Sequence, residues 1–255
     1  MRKLGLKVWS VNEAYVKPAL ELFQRGIYDY IEIFSVPDSF ALFSKMWIDL
    51  KNEGVPFLIH GPHFSSGLNF ALKDKKASNL ALAAQAQKWA DALGADQIIF
   101  HPGISGDITE TARQLNILND ARVLIENKPY NIMLGPQYVC NGNNPAEIKY
   151  VLDNTTAGFC LDVGHAFCAA NSLKEPKDKF LKEFTALNPA LIHISDGDND
   201  SVMDAHKHFG HGSYDFDMVF KILPKNIPIS IETEKNSETD LNDFEADTTF
   251  VKRFL

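Results

Sequence analysis

The chain predicts a closed parallel α/β barrel, and three observations carry that expectation. Short apolar runs of strand length recur eight times, helix-compatible stretches separate them, and the 255 residues match the roughly 250 that such a barrel needs. In order, LGLKVW (4–9) leads into a helix-compatible stretch at 12–24, YIEIF (30–34) into 39–52, PFLIH (56–60) into 76–93 and QIIFH (97–101) into 109–120. RVLIE (122–126) leads into 144–152, GFCLD (158–162) into 176–187, LIHIS (191–195) into 214–223 and PISIE (228–232) into a closing helix near 240–254. Each run has the length and the β-branched and aromatic content of a strand buried on both faces. Strict alternation implies a parallel sheet, and eight βα units close it into a (β/α)8, or TIM, barrel. No Gly/Ser/Pro-rich linker divides the chain, so residues 1–255 read as one domain. The alternative is an open doubly wound sheet. Neither G-x-G-x-x-G nor G-x-x-x-x-G-K-S/T follows the first run, so its nucleotide-binding form has no support.

Composition narrows the function classes. The chain is 45% hydrophobic and 23% charged, with a formal net charge of -8, so bulk charge does not favour non-specific binding of nucleic acid. Cys140, Cys160 and Cys168 lack CxxC spacing and read as reduced thiols. The start, MRKLGLKVWS, lacks a sustained apolar segment, and no stretch approaches the ~20 apolar residues of a membrane span. The expectation is a soluble, cytoplasmic protein without a membrane partner.

The ends of the runs carry the chemistry. PFLIH ends at His60, QIIFH at His101, RVLIE at Glu126, GFCLD at Asp162 and PISIE at Glu232, while His193 lies two residues before the end of LIHIS. In a closed parallel barrel these ends share one face, where such barrels build active sites. A lone histidine there is commonly a hydrogen-bonded core residue, and a lone aspartate commonly caps the next helix. Six at equivalent places, with no Lys or Arg at those ends, need another account. Three carboxylates at one mouth repel each other unless a cation sits among them, and a divalent metal neutralises them directly.

The remaining histidines extend the set. Asp162 and His165 stand three apart in LDVGHAF, where strand is expected to give way to loop, so both can face the mouth. MDAHKHFGHG (203–212) holds Asp204, His206, His208 and His211. Asp204 and His206 share a face if the chain is extended; His208 would share it too, and His211, after Gly210, could turn away. Mixed nitrogen and oxygen donors suit Zn, Mn or Fe better than Ca or Mg, and this many donors suit two or three ions better than one.

In order along the chain, IHGPHF, FHPG, IEN, LDVGHAF, HISD, DAHKHFGHG and IETE resemble the motifs of the xylose-isomerase-like barrels, and among them the endonuclease IV (apurinic/apyrimidinic endonuclease) type. The resemblance implies a trinuclear site, with zinc as the expected metal and Mn or Fe as alternatives. His60, His101 and Glu126 would hold one ion. Glu126, Asp162, His193 and Glu232 would hold the second, and His165, Asp204 and His206 the third. It implies hydrolysis of a phosphoester, abasic DNA being the substrate of the type, with Glu126 and Glu232 as the candidate catalytic carboxylates. The stretches SVPDSFALF and HFSSGLNFA, after the second and third runs, carry no Lys or Arg, which argues against a duplex-reading surface. The alternative within the superfamily is a sugar (phosphate) isomerase or epimerase using one metal. There the same two glutamates would move a proton beside a carbonyl. A third reading is a binding module that keeps a structural metal. His63 is a candidate substrate contact, Asp196 a candidate partner of a ligand, and His208 and His211 candidates for either role. Glu32 and Glu234 are left undecided.

Overall fold

The computed structural model describes residues 2–132, 135 and 137–255. Eight parallel strands close in chain order: β1 (Leu4–Trp9), β2 (Tyr30–Phe34), β3 (Phe57–His60), β4 (Ile98–Phe100), β5 (Val123–Glu126), β6 (Gly158–Asp162), β7 (Leu191–Ile194) and β8 (Ile229–Ile231). β8 returns to β1 with Leu4 opposite Ile229 and Leu6 opposite Ile231, which closes the sheet. The fold is therefore the (β/α)8 barrel that the alternation predicts, not an open sheet.

Around it lie α1 (Val16–Gln24), α2 (Phe40–Asn52), α3 (Lys76–Leu93), α4 (Ile108–Leu118), α5 (Pro145–Asn154), α6 (Val163–Leu173), α7 (Lys177–Thr185), α8 (Phe216–Ile222) and α9 (Asn242–Val251). Their starts follow side-chain chemistry: Asp107, Asn144, Asp162 and Asp215 each accept a backbone N–H from the first turn of α4, α5, α6 and α8. The segment after Asp162, expected as loop, is the correction. It enters α6 with no linker, because Asp162 ends β6 and also accepts the amide of His165 at 2.6 Å. Among the described residues no helix is long and apolar enough to cross a membrane.

Two apolar layers hold the barrel. Strand side chains alternate, so Leu4, Leu6 and Val8 of β1 join the core beneath the helices, where Trp47 and Trp89 are fully buried. Each such indole removes roughly 200 Å² from water, worth roughly 5 kcal/mol. The inward faces form a separate group of Tyr30, Leu58, Ile99, Leu124, Cys160 and Leu191. Two positions further along the same inward faces stand Glu32, His60, His101, Glu126, Asp162 and His193. The apolar plug is thus the floor on which the polar groups rest.

Candidate metal centre

Above that floor each strand delivers one polar side chain to the mouth: Lys7, Glu32, His60, His101, Glu126, Asp162, His193 and Glu232. Six come from the reading of the strand ends, while Lys7 and Glu32 escaped it because they lie in mid-strand. Their signal was a charged residue at an inward position of an otherwise apolar run.

Glu126 is the hub. One carboxylate oxygen lies 3.1 Å from His60 Nε2, 3.2 Å from His101 Nε2 and 3.4 Å from His193 Nδ1, and the other lies 2.9 Å from His165 Nδ1. His193 Nδ1 also meets Glu232 at 2.5 Å, and Asp204 lies 3.3 Å from His165 Nε2 and 2.7 Å from His206 Nε2. Asn127, fully buried, ties the ends of β5 and β6 by exchanging hydrogen bonds of 2.8 and 2.9 Å with the backbone of Asp162.

Hydrogen bonds behind the histidines assign their free nitrogens. His60 Nδ1–H donates to the Gly61 carbonyl at 2.9 Å, His165 Nδ1–H to the Asn127 carbonyl at 2.9 Å, and His193 Nε2–H to Glu32 at 2.9 Å. Such rear partners are the usual device for fixing a metal-binding imidazole. The Nε2 of His60 and His165 and the Nδ1 of His193 then face carboxylates, an approach that a shared proton, the Lys128 ammonium or a metal cation between them would make favourable. His101 Nδ1, His193 Nδ1 and His206 Nδ1 are buried without a hydrogen bond of good geometry. These donors fit divalent metal ions of the zinc kind.

Potential ligand atoms converge within 4.8 Å in His60/His101/Glu126 and in His165/Asp204/His206, two of the three sets expected. The second set is divided: His193 and Glu232 group with His60 and Glu32, whereas Asp162 groups with Glu126 and His165. The physical reason is that the Asp162 carboxylate caps α6 and is drawn toward the His165 amide.

Two lysines enter the same mouth. The Lys7 ammonium is hydrogen-bonded to Glu232 and lies 3.5 Å from Glu32, and the Lys128 ammonium lies 3.4 Å from Glu126. The absence of Lys and Arg from the ends of the runs therefore does not extend to the whole mouth. Burial alone would raise the Glu126 carboxyl, but His101 and Lys128 beside it hold it well below the usual range. Burial would lower His193, but Cys160, Glu232 and Glu32 hold it well above the ordinary imidazole value. For Asp162 burial prevails over His165, and its carboxyl is raised.

The 203–212 stretch splits in two. His206 adopts φ 44°, a left-handed conformation that breaks the extended alternation. His208 therefore does not share the face of Asp204 and His206: its Nδ1 meets Asp247 of α9 at 2.8 Å, and His211 packs beside it with ring centroids 5.9 Å apart. Asp196 binds no ligand side chain. Its carboxylate accepts the amides of Gly197, Gly210, Gly212 and Tyr214 at 2.8–3.3 Å, pinning the loop that delivers Asp204 and His206. A Cβ on Gly212 would collide with that carboxylate, so only glycine fits there. His63 stacks on His101, with rings 5.3 Å apart and 8° from parallel. Burial, with His60 and Lys128 beside it, lowers its pKa to about 3, so it stays neutral. Glu234 is exposed at the rim, its amide bonded to the His206 carbonyl at 2.9 Å.

The mouth opens into a cavity of about 370 Å³, walled by Trp9, Phe34 and Phe64 and lined by Lys7, Lys128 and Lys235. Fold and site together define an α/β barrel with a histidine–carboxylate cluster at its C-terminal mouth. The model of the xylose isomerase-like TIM barrel family matches residues 24–253, and the chain belongs to that family. The chain is 25% identical over 204 residues to the probable endonuclease 4 of Mycoplasma pneumoniae, covering 72% of this chain and 70% of that one. Its fold is similar to the crystal structure of a D-tagatose 3-epimerase-like protein (TM-score 0.75, 19% identity, 99% and 96% of the two chains). It is also similar to endonuclease IV from Thermus thermophilus (TM-score 0.72, 19% identity, 98% and 99%).

Proposed function

We propose that the chain is a metal-dependent phosphoester hydrolase acting on a compact substrate. The observation that supports this reading is the placement of His165, Asp204 and His206 beside His60, His101 and Glu126, with Glu126 Oε1 only 2.9 Å from His165. A one-metal sugar isomerase has no use for that second group. His60, His101 and Glu126 would hold one ion, and His165, Asp204 and His206 another. His193 and Glu232, with Glu126 or Asp162, would complete a third site. When bound, divalent ions supply Lewis acidity and neutralise charge on a phosphoryl group. Glu126 would orient the attacking water and receive its proton on a carboxylate oxygen, while Lys7 holds Glu232 in place. The aromatic wall would exclude bulk water from the leaving group.

Lys7, Lys128 and Lys235 line the cavity, while the stretches after β2 and β3, SVPDSFALF and HFSSGLNFA, carry no Lys or Arg, which favours a small phosphoester over duplex DNA. A second reading, a sugar epimerase, draws on the two carboxylates that reach His193 Nδ1, Glu126 at 3.4 Å and Glu232 at 2.5 Å. Metal analysis of the fully loaded protein, with turnover of nitrophenyl phosphoesters and of an abasic duplex, separates them. Two or three transition-metal ions per chain with phosphoester cleavage lost in Asp204→Ala is the expected result. One ion per chain with exchange at a ketose carbon overturns hydrolysis in favour of epimerisation.

A further inference from the structure

We propose that Lys128 is a displaceable cation. In the metal-free chain its ammonium takes the place of a metal among the ligands. On metal loading it swings into the cavity and becomes the contact for an anionic group of the substrate. This inference rests on the metal-centre reading, not on whether hydrolysis or epimerisation follows.

The ammonium lies 3.4 Å from Glu126 Oε1, 3.4 Å from His101 Nε2 and 3.0 Å from His165 Nε2. Those three side chains belong to two different ligand sets. Lys128 is thus seated between two prospective metal positions, among groups whose lone pairs a metal would claim. Of the other lysines of the cavity, Lys7 reaches members of one set alone, Glu232 and Glu32, and Lys235 is held by the Thr233 carbonyl at 2.6 Å. Lys128 has, among the described residues, only the ligands themselves.

Once dications occupy the two sets, an ammonium within 3.4 Å of members of both meets like charge and loses its acceptors. Its backbone stays fixed, because the Lys128 amide donates to the Gly142 carbonyl at 3.0 Å. The flexible four-carbon stem is what can move, and the cavity that Lys128 lines is the open direction. There its charge faces the space a substrate would fill, between the metal positions and Phe34 and Phe64. A phosphate or a carboxylate offers the matching chemistry.

The test compares wild type, Lys128→Met and Lys128→Arg by zinc competition against a chromophoric chelator, by thermal melting, and by inorganic phosphate and acetate titration of the zinc-loaded protein. Lys128→Met should bind zinc about tenfold more tightly than wild type, because no like charge has to be displaced. Its melting temperature should fall in chelator and match wild type in zinc, a crossing that a merely structural lysine would not give. Zinc-loaded Lys128→Met should lose about tenfold in affinity for whichever of phosphate and acetate the wild type binds. Lys128→Arg should keep the metal-free melting temperature and bind zinc no more tightly than wild type. Zinc affinity unchanged or weakened in Lys128→Met overturns the displacement. Anion affinity unchanged overturns the contact. Neither measurement depends on turnover, so failure of the hydrolase reading would leave both results standing.

Discussion

Asp196 illustrates how a single carboxylate reaches the site without touching any prospective ligand. Four amides converge on it, and two of them, Gly210 and Gly212, close the loop that carries Asp204 and His206. Removing it leaves buried donors unpaired and frees the left-handed turn at His206, which the loop otherwise enforces. Asp196→Ala should cost roughly 3 kcal/mol in urea unfolding, and Asp196→Asn should recover part of it. Hydrogen exchange at residues 203–214 should quicken in the alanine variant. A cost below about 1 kcal/mol, the net value of one ordinary hydrogen bond, would show that the loop holds its shape without Asp196. Glu32 works in the same indirect way, accepting from His193 at 2.9 Å and from Ser230 at 2.5 Å so that the imidazole presents Nδ1. Both residues act by holding something else.

At the scale of elements, the junction of β6 and α6 combines two duties in one side chain. The Asp162 carboxylate accepts the first-turn amide of α6 and lies 3.6 Å from His165 Nδ1. In metal-free protein Asp162→Asn should therefore be no less stable than wild type, since an amide oxygen caps equally well and a buried charge is gone. Asp162→Ala should be less stable than Asp162→Asn by roughly 1 kcal/mol, and both should lose metal; equal melting of the two variants would remove the capping role. This junction also marks where sequence legibility ended. Strands were readable because a strand buried on both faces is an apolar run with a sharp end, and helices such as α2 and α3 followed from long periodic stretches. VGHAFCAANSL reads as loop because no turn residues separate it from β6, and its one helix-start signal, the N-cap Asp162, is also the last residue of the strand. Lys7 and Lys128 give no sign at the strand ends, and Glu32 stays undecided there, for a related reason. Lys7 and Glu32 stand below the ends of β1 and β2, and Lys128 curls back to Glu126 from beyond β5.

On the scale of the whole molecule, closure of the barrel gathers charge that the linear chain keeps apart. Glu32, Glu126, Asp162, Asp204 and Glu232 meet in one mouth against Lys7 and Lys128, in a chain whose formal net charge is already -8. The metal-free fold carries that repulsion, and ions that bind only the closed barrel relieve it. Ligand binding to the native state alone adds RT ln(1 + [L]/Kd), about 4 kcal/mol at a thousandfold excess over Kd. For a chain of this size that corresponds to a rise in melting temperature on the order of 10 °C. Zinc should produce such a rise and excess chelator should reverse it. The shift should shrink as pH falls from about 8 to about 6, because protons compete for the imidazole nitrogens that a metal needs. Calorimetric scans across that range test the claim directly. A melting temperature indifferent to zinc, chelator and pH would mean that the lysines and shared protons suffice, and that the mouth is not a metal centre.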